Sequence, residues 1–236
     1  VLYDAGPAFG PDADGGERIV VPALRAAGLP GIDLMVLTHE DTDHIGGALS
    51  VLESMEVGGL ASSLPHAHPL NTLVAAPTRC TAGTRWEWDG VRFEFLHPAA
   101  GAERARRNNQ SCVLRVAAQG GSMLLTGDIE RAVELQLIER NPKADVMLVP
   151  HHGSRSSSSR EFIAAVAPRW AVVAAGYRSR FGHPSGEVLE RYRAAGTAVM
   201  RTDLDGAVHV LLDRRGLHVS GERQRAPRYW RRVPRV

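Results

Sequence analysis

Four side chains able to bind a metal ion, His39, Asp41, Asp43 and His44, fall within six residues of the stretch Thr38-His39-Glu40-Asp41-Thr42-Asp43-His44-Ile45-Gly46-Gly47. The apolar run Ile32-Asp33-Leu34-Met35-Val36-Leu37 before it reads as a short buried strand. After it, Ile45, Leu49, Leu52 and Met55 recur at helical spacing. The cluster therefore lies where a strand hands over to a helix, a turn that aims several side chains at one point above the strand end. Two imidazoles and two carboxylates crowded there repel one another or lose hydration unless a cation compensates.

Three later segments repeat the pattern of an apolar run followed by an acid or a histidine. Met123-Leu124-Leu125-Thr126-Gly127-Asp128 is a strand ending in Gly-Asp. Asp145-Val146-Met147-Leu148-Val149-Pro150 is a strand running into His151-His152-Gly153-Ser154. Trp170-Ala171-Val172-Val173-Ala174-Ala175-Gly176 is a third strand, with His183-Pro184 after a short loop. Ligands of open α/β sheets gather outside the carboxyl ends of the strands, so the pattern predicts a two-metal site built from strand ends. Neighbouring side chains of an extended segment point apart. Of His151 and His152, one is then expected at the metal or as a proton donor, with His151 slightly favoured, while the other holds the loop.

Together with Asn108-Asn109-Gln110-Ser111 and Arg180-Phe181-Gly182-His183-Pro184, these stretches resemble the metallo-β-lactamase superfamily, whose motif is His-x-His-x-Asp-His. More narrowly they resemble the C-terminal domain of the ComEC-type competence family, inner-membrane DNA-uptake channels of transformable bacteria. The resemblance implies an α/β fold, the αββα four-layer sandwich of two mixed sheets flanked by helices. It places a hydrolase domain over residues 1–220, lacking its first strand, and a basic tail over 221–236. The chain would then be a fragment, a soluble domain on the outer, periplasmic face of the inner membrane, with its membrane part upstream. The metal ligands implied are His39, Asp41, Asp43, His44, Asp128, His151 and His183, with Asp43, His151 and His152 in catalytic roles. Two divalent cations, manganese or zinc, are the cofactors, and DNA, in single-stranded form, is the partner. Two departures from the broad superfamily matter. Asp41 stands where most members have the second histidine, and Asn109 where many carry a further one. The set becomes harder and richer in oxygen, which moves the metal toward manganese or magnesium without excluding zinc.

The chemistry implied is hydrolysis of a phosphodiester. Two cations lower the pKa of a shared water toward ~7 and the resulting nucleophile attacks phosphorus in line. Asn109, Ser111, Ser154, Arg104, Arg106 and Arg107 are the expected substrate contacts. The serine-rich loop offers hydroxyls and N–H groups to phosphate, and the arginines adjoin Asn108. The rivals are an MBL-fold hydrolase of another ester, such as a thioester or small phosphodiester, and a non-catalytic module that guides a DNA strand.

Composition sets the outer bounds. With 236 residues, 44% of them hydrophobic, one layered α/β domain has ample core, and no run approaches the ~18 apolar residues of a membrane span. Net charge is only +2, but arginine gathers at 104–107 and, with Tyr229 and Trp230, in the tail. Basic residues interleaved with aromatics suit a nucleic-acid strand. Two cysteines are too few for a disulfide framework. Cys112 reads as a buried small hydrophobe, with a single bridge to Cys80 left open. Residues 58–84 give no clear pattern. His66 and His68, despite their His-x-His spacing, read as surface residues of a Pro-rich loop, and His97 as structural.

Overall fold

The tripeptide Met35-Val36-Leu37 is wholly buried and forms an inner strand, as an uninterrupted apolar run should in a parallel sheet covered on both faces. In this computed structural model, which describes residues 1–99, 101, 105–179 and 181–228, that strand belongs to the first of two compact units, made of Val1–Ala82 and His97–Cys112. Its sheet runs Leu2–Tyr3, Met35–Leu37, Leu60–Ser62, Thr78–Arg79, all parallel. The strand expected over 32–37 is divided at the exposed Asp33. Gly31–Ile32 pairs instead with Glu56–Val57 in a separate two-stranded ladder.

Behind the ligand cluster the helix forms in two pieces, Thr42–Ile45 and Ala48–Ser54. The break falls at Gly46-Gly47, where a Cβ on Gly47 would overlap the backbone of Gly16 and the carbonyl of Ala5. Restarting the helix shifts its phase. Ala48, Val51 and Met55 are buried, whereas Leu49, expected on the core face, is 47% exposed. These side chains pack with Val21, Met35, Leu37, Leu60, Leu64 and Leu70 into one core. A π-turn and helix over Gly16–Ala26, which no sequence period announced, supply Val21.

Cys80 and Cys112 form a disulfide in this unit, with Cα atoms 5.7 Å apart. Cys112 is buried as expected, but bridged. The reason is the sheet: Leu37 and Ser62 are register neighbours, the Cys112 amide bonds the Thr38 carbonyl, and the Cys80 amide bonds the Ser62 carbonyl. Two segments distant in sequence are thereby laid side by side.

The second unit comprises Gly83–Leu96 and Val113–Val236. Its seven-stranded sheet runs Ala198–Arg201, Trp170–Val173, Val146–Leu148, Gly121–Leu125, Val113–Ala118, Val91–His97, Arg85–Trp88. The first four strands are mutually parallel, and the pairs 113–118/121–125 and 85–88/91–97 are antiparallel. Helices Arg131–Ile138 and Gly186–Ala194 appear where Val133, Leu137, Val188, Leu189 and Tyr192 predict them. A further helix, Arg160–Val166, follows the serine run, which ends in a cap: Ser159 Oγ accepts the Phe162 amide at 3.3 Å. Phe162 is fully buried among Leu124, Val133, Met147 and Val173, a contribution of about 1.5–3 kcal/mol from burial alone. The hairpin Val208–Asp213/Gly216–Gly221 leads into a short helix, Glu222–Arg225, inside the region read as tail. The aromatics Tyr229 and Trp230 lie outside the described residues, as does Arg104. No helix among the described residues is long and apolar enough to cross a membrane.

Candidate metal centre

Each unit carries one cluster of ligand-type side chains at its strand ends. In the first, the strand Met35–Leu37 delivers Thr38 and His39, both buried; Asp41 stands at the N-cap of helix Thr42–Ile45 and Asp43 in its first turn. His44 Nδ1 sits 2.7 Å from Asp4 Oδ2, and the same carboxylate accepts the Thr38 amide at 2.8 Å and its hydroxyl at 2.9 Å. His39 Nδ1 meets Thr38 Oγ1 at 2.8 Å and Ser111 Oγ at 3.3 Å. With each Nδ1 so engaged, Nε2 is the ring atom turned toward a neighbouring acid. His39 Nε2 lies 3.6 Å from Asp41 Oδ2, and His44 Nε2 lies 3.8 Å from Asp43 Oδ2.

Those distances test whether a cation fits. They are too long for hydrogen bonds. Two donors on one ion, each about 2.0–2.2 Å from it, stand roughly 3–3.5 Å apart, so the pairs are close to ligand spacing. A neutral imidazole that donates from Nδ1 also turns its Nε2 lone pair toward the acid, an unfavourable contact that a cation relieves. The donor set fits a divalent metal.

Asp4 is a member of this cluster that the sequence reading missed. Its only signal is a strand-end acid in Tyr3-Asp4-Ala5-Gly6, far from the motif. Asp4→Asn is expected to leave the fold intact and weaken metal binding about 10–100-fold, the usual cost of removing a carboxylate behind a ligating histidine. Calorimetric titration of the variant with manganese checks this, and an unchanged affinity would remove Asp4 from the site.

The second cluster is built on Asp128, past strand Gly121–Leu125, and on the turn Pro150–Gly153, past strand Val146–Leu148. His151 and His152 are not extended. Both adopt left-handed backbone, with φ of 49° and 53°, so the expectation that their side chains diverge does not hold. Both Nε2 atoms approach Asp128 Oδ2, at 3.8 and 3.6 Å. His152 Nδ1 donates to the Ala174 carbonyl at 2.8 Å, which turns Nε2 toward Asp128, and the Asp128–His152 pair repeats the spacing of the first cluster. His151 Nδ1 lies instead 3.3 Å from Ser156 Oγ and 3.7 Å from Glu130 Oε1. The two rings thus stand at similar distances from Asp128 and differ in what holds Nδ1, a backbone carbonyl for His152 and a serine hydroxyl for His151. Gly153, at φ +85°, leaves room for Pro184, which a Cβ would meet at 2.6 Å; that close approach brings in His183, whose ring centre is 6.0 Å from that of His151. Partial burial, then the rings of His151 and His152, hold the His183 pKa below its ordinary value, against the pull of Asp128.

The expected substrate contacts are less uniform. Ser111 touches His39, and Asn109 is buried with its carbonyl bonded to His97 Nε2 at 2.9 Å. Ser154 bonds Ser156 at 3.1 Å, one step from His151. Arg106 is exposed, whereas Arg107 is ion-paired with Glu40.

The chain is similar to known proteins along most of its length. The chain is 39% identical over 219 residues to competence protein ComA of Neisseria gonorrhoeae, which covers 91% of this chain and 30% of that protein. It is 34% identical to ComE operon protein 3 of Bacillus subtilis, across 82% of this chain and 26% of the relative, and 32% identical to recombination protein 2 of Haemophilus influenzae, across 99% and 29%. The chain therefore spans less than a third of the length of these relatives. Among solved structures, Tm1679, described as a metal-dependent hydrolase of the β-lactamase superfamily, superposes with a TM-score of 0.52 over 84% of both chains at 12% identity. CmlA, a diiron β-hydroxylase from Streptomyces venezuelae, gives 0.53 over 73% of this chain and 44% of its own at 14% identity. At such identities the likeness is one of fold. The strand-end histidines and acids, that fold, and a superfamily signature matched across residues 1–177 agree: the chain belongs to the metallo-β-lactamase superfamily.

Proposed function

We propose that this chain is a divalent-metal-dependent phosphodiesterase acting on DNA, the nuclease part of a ComEC-type uptake channel that degrades the strand not taken into the cell. The observation that carries the metal chemistry is the set of carboxylate–imidazole pairs at 3.6–3.8 Å, each histidine oriented through its other nitrogen. The similarity to competence proteins across most of the chain supports DNA as substrate. In this reading His39, Asp41, Asp43, His44, Asp128 and His152 hold two cations, manganese or zinc. Bound cations would lower the pKa of a water and neutralise charge on the phosphate. Asp4 and the Ala174 carbonyl fix the tautomers of His44 and His152. His151 and His183 face the leaving oxygen, where a ring N–H stabilises developing negative charge. Ser111, Ser154, Asn109 and Arg106 contact the strand, joined by Arg104 and by Arg107 once it exchanges Glu40 for phosphate.

The Cys80–Cys112 bridge supports a place on the outer face of the inner membrane, since disulfides persist in oxidising compartments. The partner there is a transmembrane channel region belonging to the same polypeptide.

The test is an assay on labelled single- and double-stranded DNA. Chelation is expected to abolish cleavage and manganese to restore it at least as well as zinc, because three of the proposed donors are carboxylates. Restoration by zinc alone, with inhibition by manganese, would refute the argument from ligand hardness. Turnover of a thioester or a small phosphodiester with DNA left intact would overturn the substrate.

A further inference from the structure

Outside the ligand clusters, the second unit contains a buried carboxylate whose position calls for explanation. Glu134 lies on helix Arg131–Ile138 and is fully buried. Its two oxygens are divided between two backbone donors. Oε1 accepts the Ser158 amide, and Oε2 accepts the Ser159 amide at 2.9 Å. Arg191, from helix Gly186–Ala194, donates to the carbonyls of Ser157 and Ser158, both at 3.0 Å. The Tyr192 hydroxyl meets Ser158 Oγ at 3.1 Å. These contacts hold Ser158 at φ +59°, a left-handed conformation uncommon for a residue with a Cβ.

The opposite side of the same loop faces the histidines. Ser157 Oγ donates to the Pro150 carbonyl at 2.8 Å and to that of Ser154 at 3.1 Å. Ser156 Oγ reaches His151 Nδ1 at 3.3 Å, and the Ser156 carbonyl is held by the Arg131 amide at 3.1 Å. The loop is therefore clamped from behind by Glu134 and Arg191 and bonded in front to the turn that carries His151 and His152. A buried acid is costly to desolvate. A neutral amide in its place would set an N–H against one of the two backbone N–H groups, and only a carboxylate accepts from both.

We propose that Glu134 is a positioning residue of the site: by clamping the serine loop it sets Ser156 against His151 and so fixes that ring's orientation and the geometry of the His151-His152 turn. The proposal rests on the reading of that turn as part of the metal site, but not on DNA being the substrate.

Glu134→Gln, nearly isosteric, is the test. In the metal-free protein it is expected to speed hydrogen exchange at the Ser158 and Ser159 amides. It should also change the imidazole nitrogen shifts of His151, the signature of its hydrogen bonding, while those of His39 and His44 stay put. Manganese affinity should fall about 10–100-fold, the range seen when groups that orient ligands are removed. Ser156→Ala, which keeps the clamp and removes only the hydroxyl facing the ring, should reproduce the His151 change without the faster exchange; it also decides the matter if Glu134→Gln does not fold. Unchanged His151 shifts in Ser156→Ala, or unchanged His151 shifts and manganese affinity in a folded Glu134→Gln, would overturn the proposal. Failure of wild type to cut DNA, with these shifts observed, would sink the nuclease reading alone.

Discussion

Asp43→Ala and Asp128→Ala will each reduce hydrolysis by at least about a hundredfold while leaving the fold intact. The loss should exceed the 10–100-fold typical of groups one step behind the ligands, because these two carboxylates are proposed to touch the cations directly. Neither supports a core. Asp43 is half exposed at the start of a short helix, and Asp128 lies past strand Gly121–Leu125, where Leu124 and Ile129 are the buried apolar side chains. Each removal takes an acid from beside a histidine Nε2: His44 loses the one 3.8 Å away, and His152 the one 3.6 Å away. Metal content measured beside turnover makes the result diagnostic. Both should fall together, with circular dichroism and melting temperature near wild type. Either variant keeping more than a tenth of wild-type turnover with its metal bound would remove that residue from the centre.

Replacing both cysteines by serine is expected to have the largest effect on stability. The bridge closes a loop with a sequence separation of 32, for which the chain-entropy relation gives about 4 kcal/mol. For a protein of this size that corresponds to a fall of roughly 10 °C in melting temperature. Activity should suffer too. Cys112 follows Ser111, whose hydroxyl meets His39, and its amide is bonded to Thr38, so the tie that holds this segment beside the first cluster is lost. Thermal unfolding of wild type with and without reductant, beside the double variant, checks this. Reduced wild type should match the variant, and a fall of less than about 2 °C in both would mean that the bridge contributes little.

Much of the candidate site was legible because its proposed ligands are local. His39, Asp41, Asp43 and His44 share one strand-to-helix turn, and Asp128, His151, His152 and His183 each follow an apolar run that does become a strand. The helices with clear apolar spacing, over Val133–Ile138 and Val188–Tyr192, were legible for the same reason. Gly46-Gly47 was visible in the sequence, yet its effect was not, because the atoms that demand glycine there belong to Ala5 and Gly16. Helix Arg160–Val166 was hidden behind a serine run that looks like a linker until Ser159 is seen to cap it.

The sequence alone determined what is carried by neighbouring residues and period: the α/β class, the strand ends and the chemical types of the candidate metal donors. The tertiary structure decided what depends on partners distant in sequence. Asp4 orients His44 across 40 positions, Cys80 meets Cys112 across 32, and Glu134 holds Ser158 across 24. Such pairings leave no local signature, since any exposed acid or small polar loop reads alike until the sheet brings its partner alongside. The left-handed turn at His151-His152 is of the same kind. Its backbone is held by the His151 amide on the Gly127 carbonyl and by Ser157 on Pro150, and those contacts, not the two residues themselves, bring both rings to Asp128.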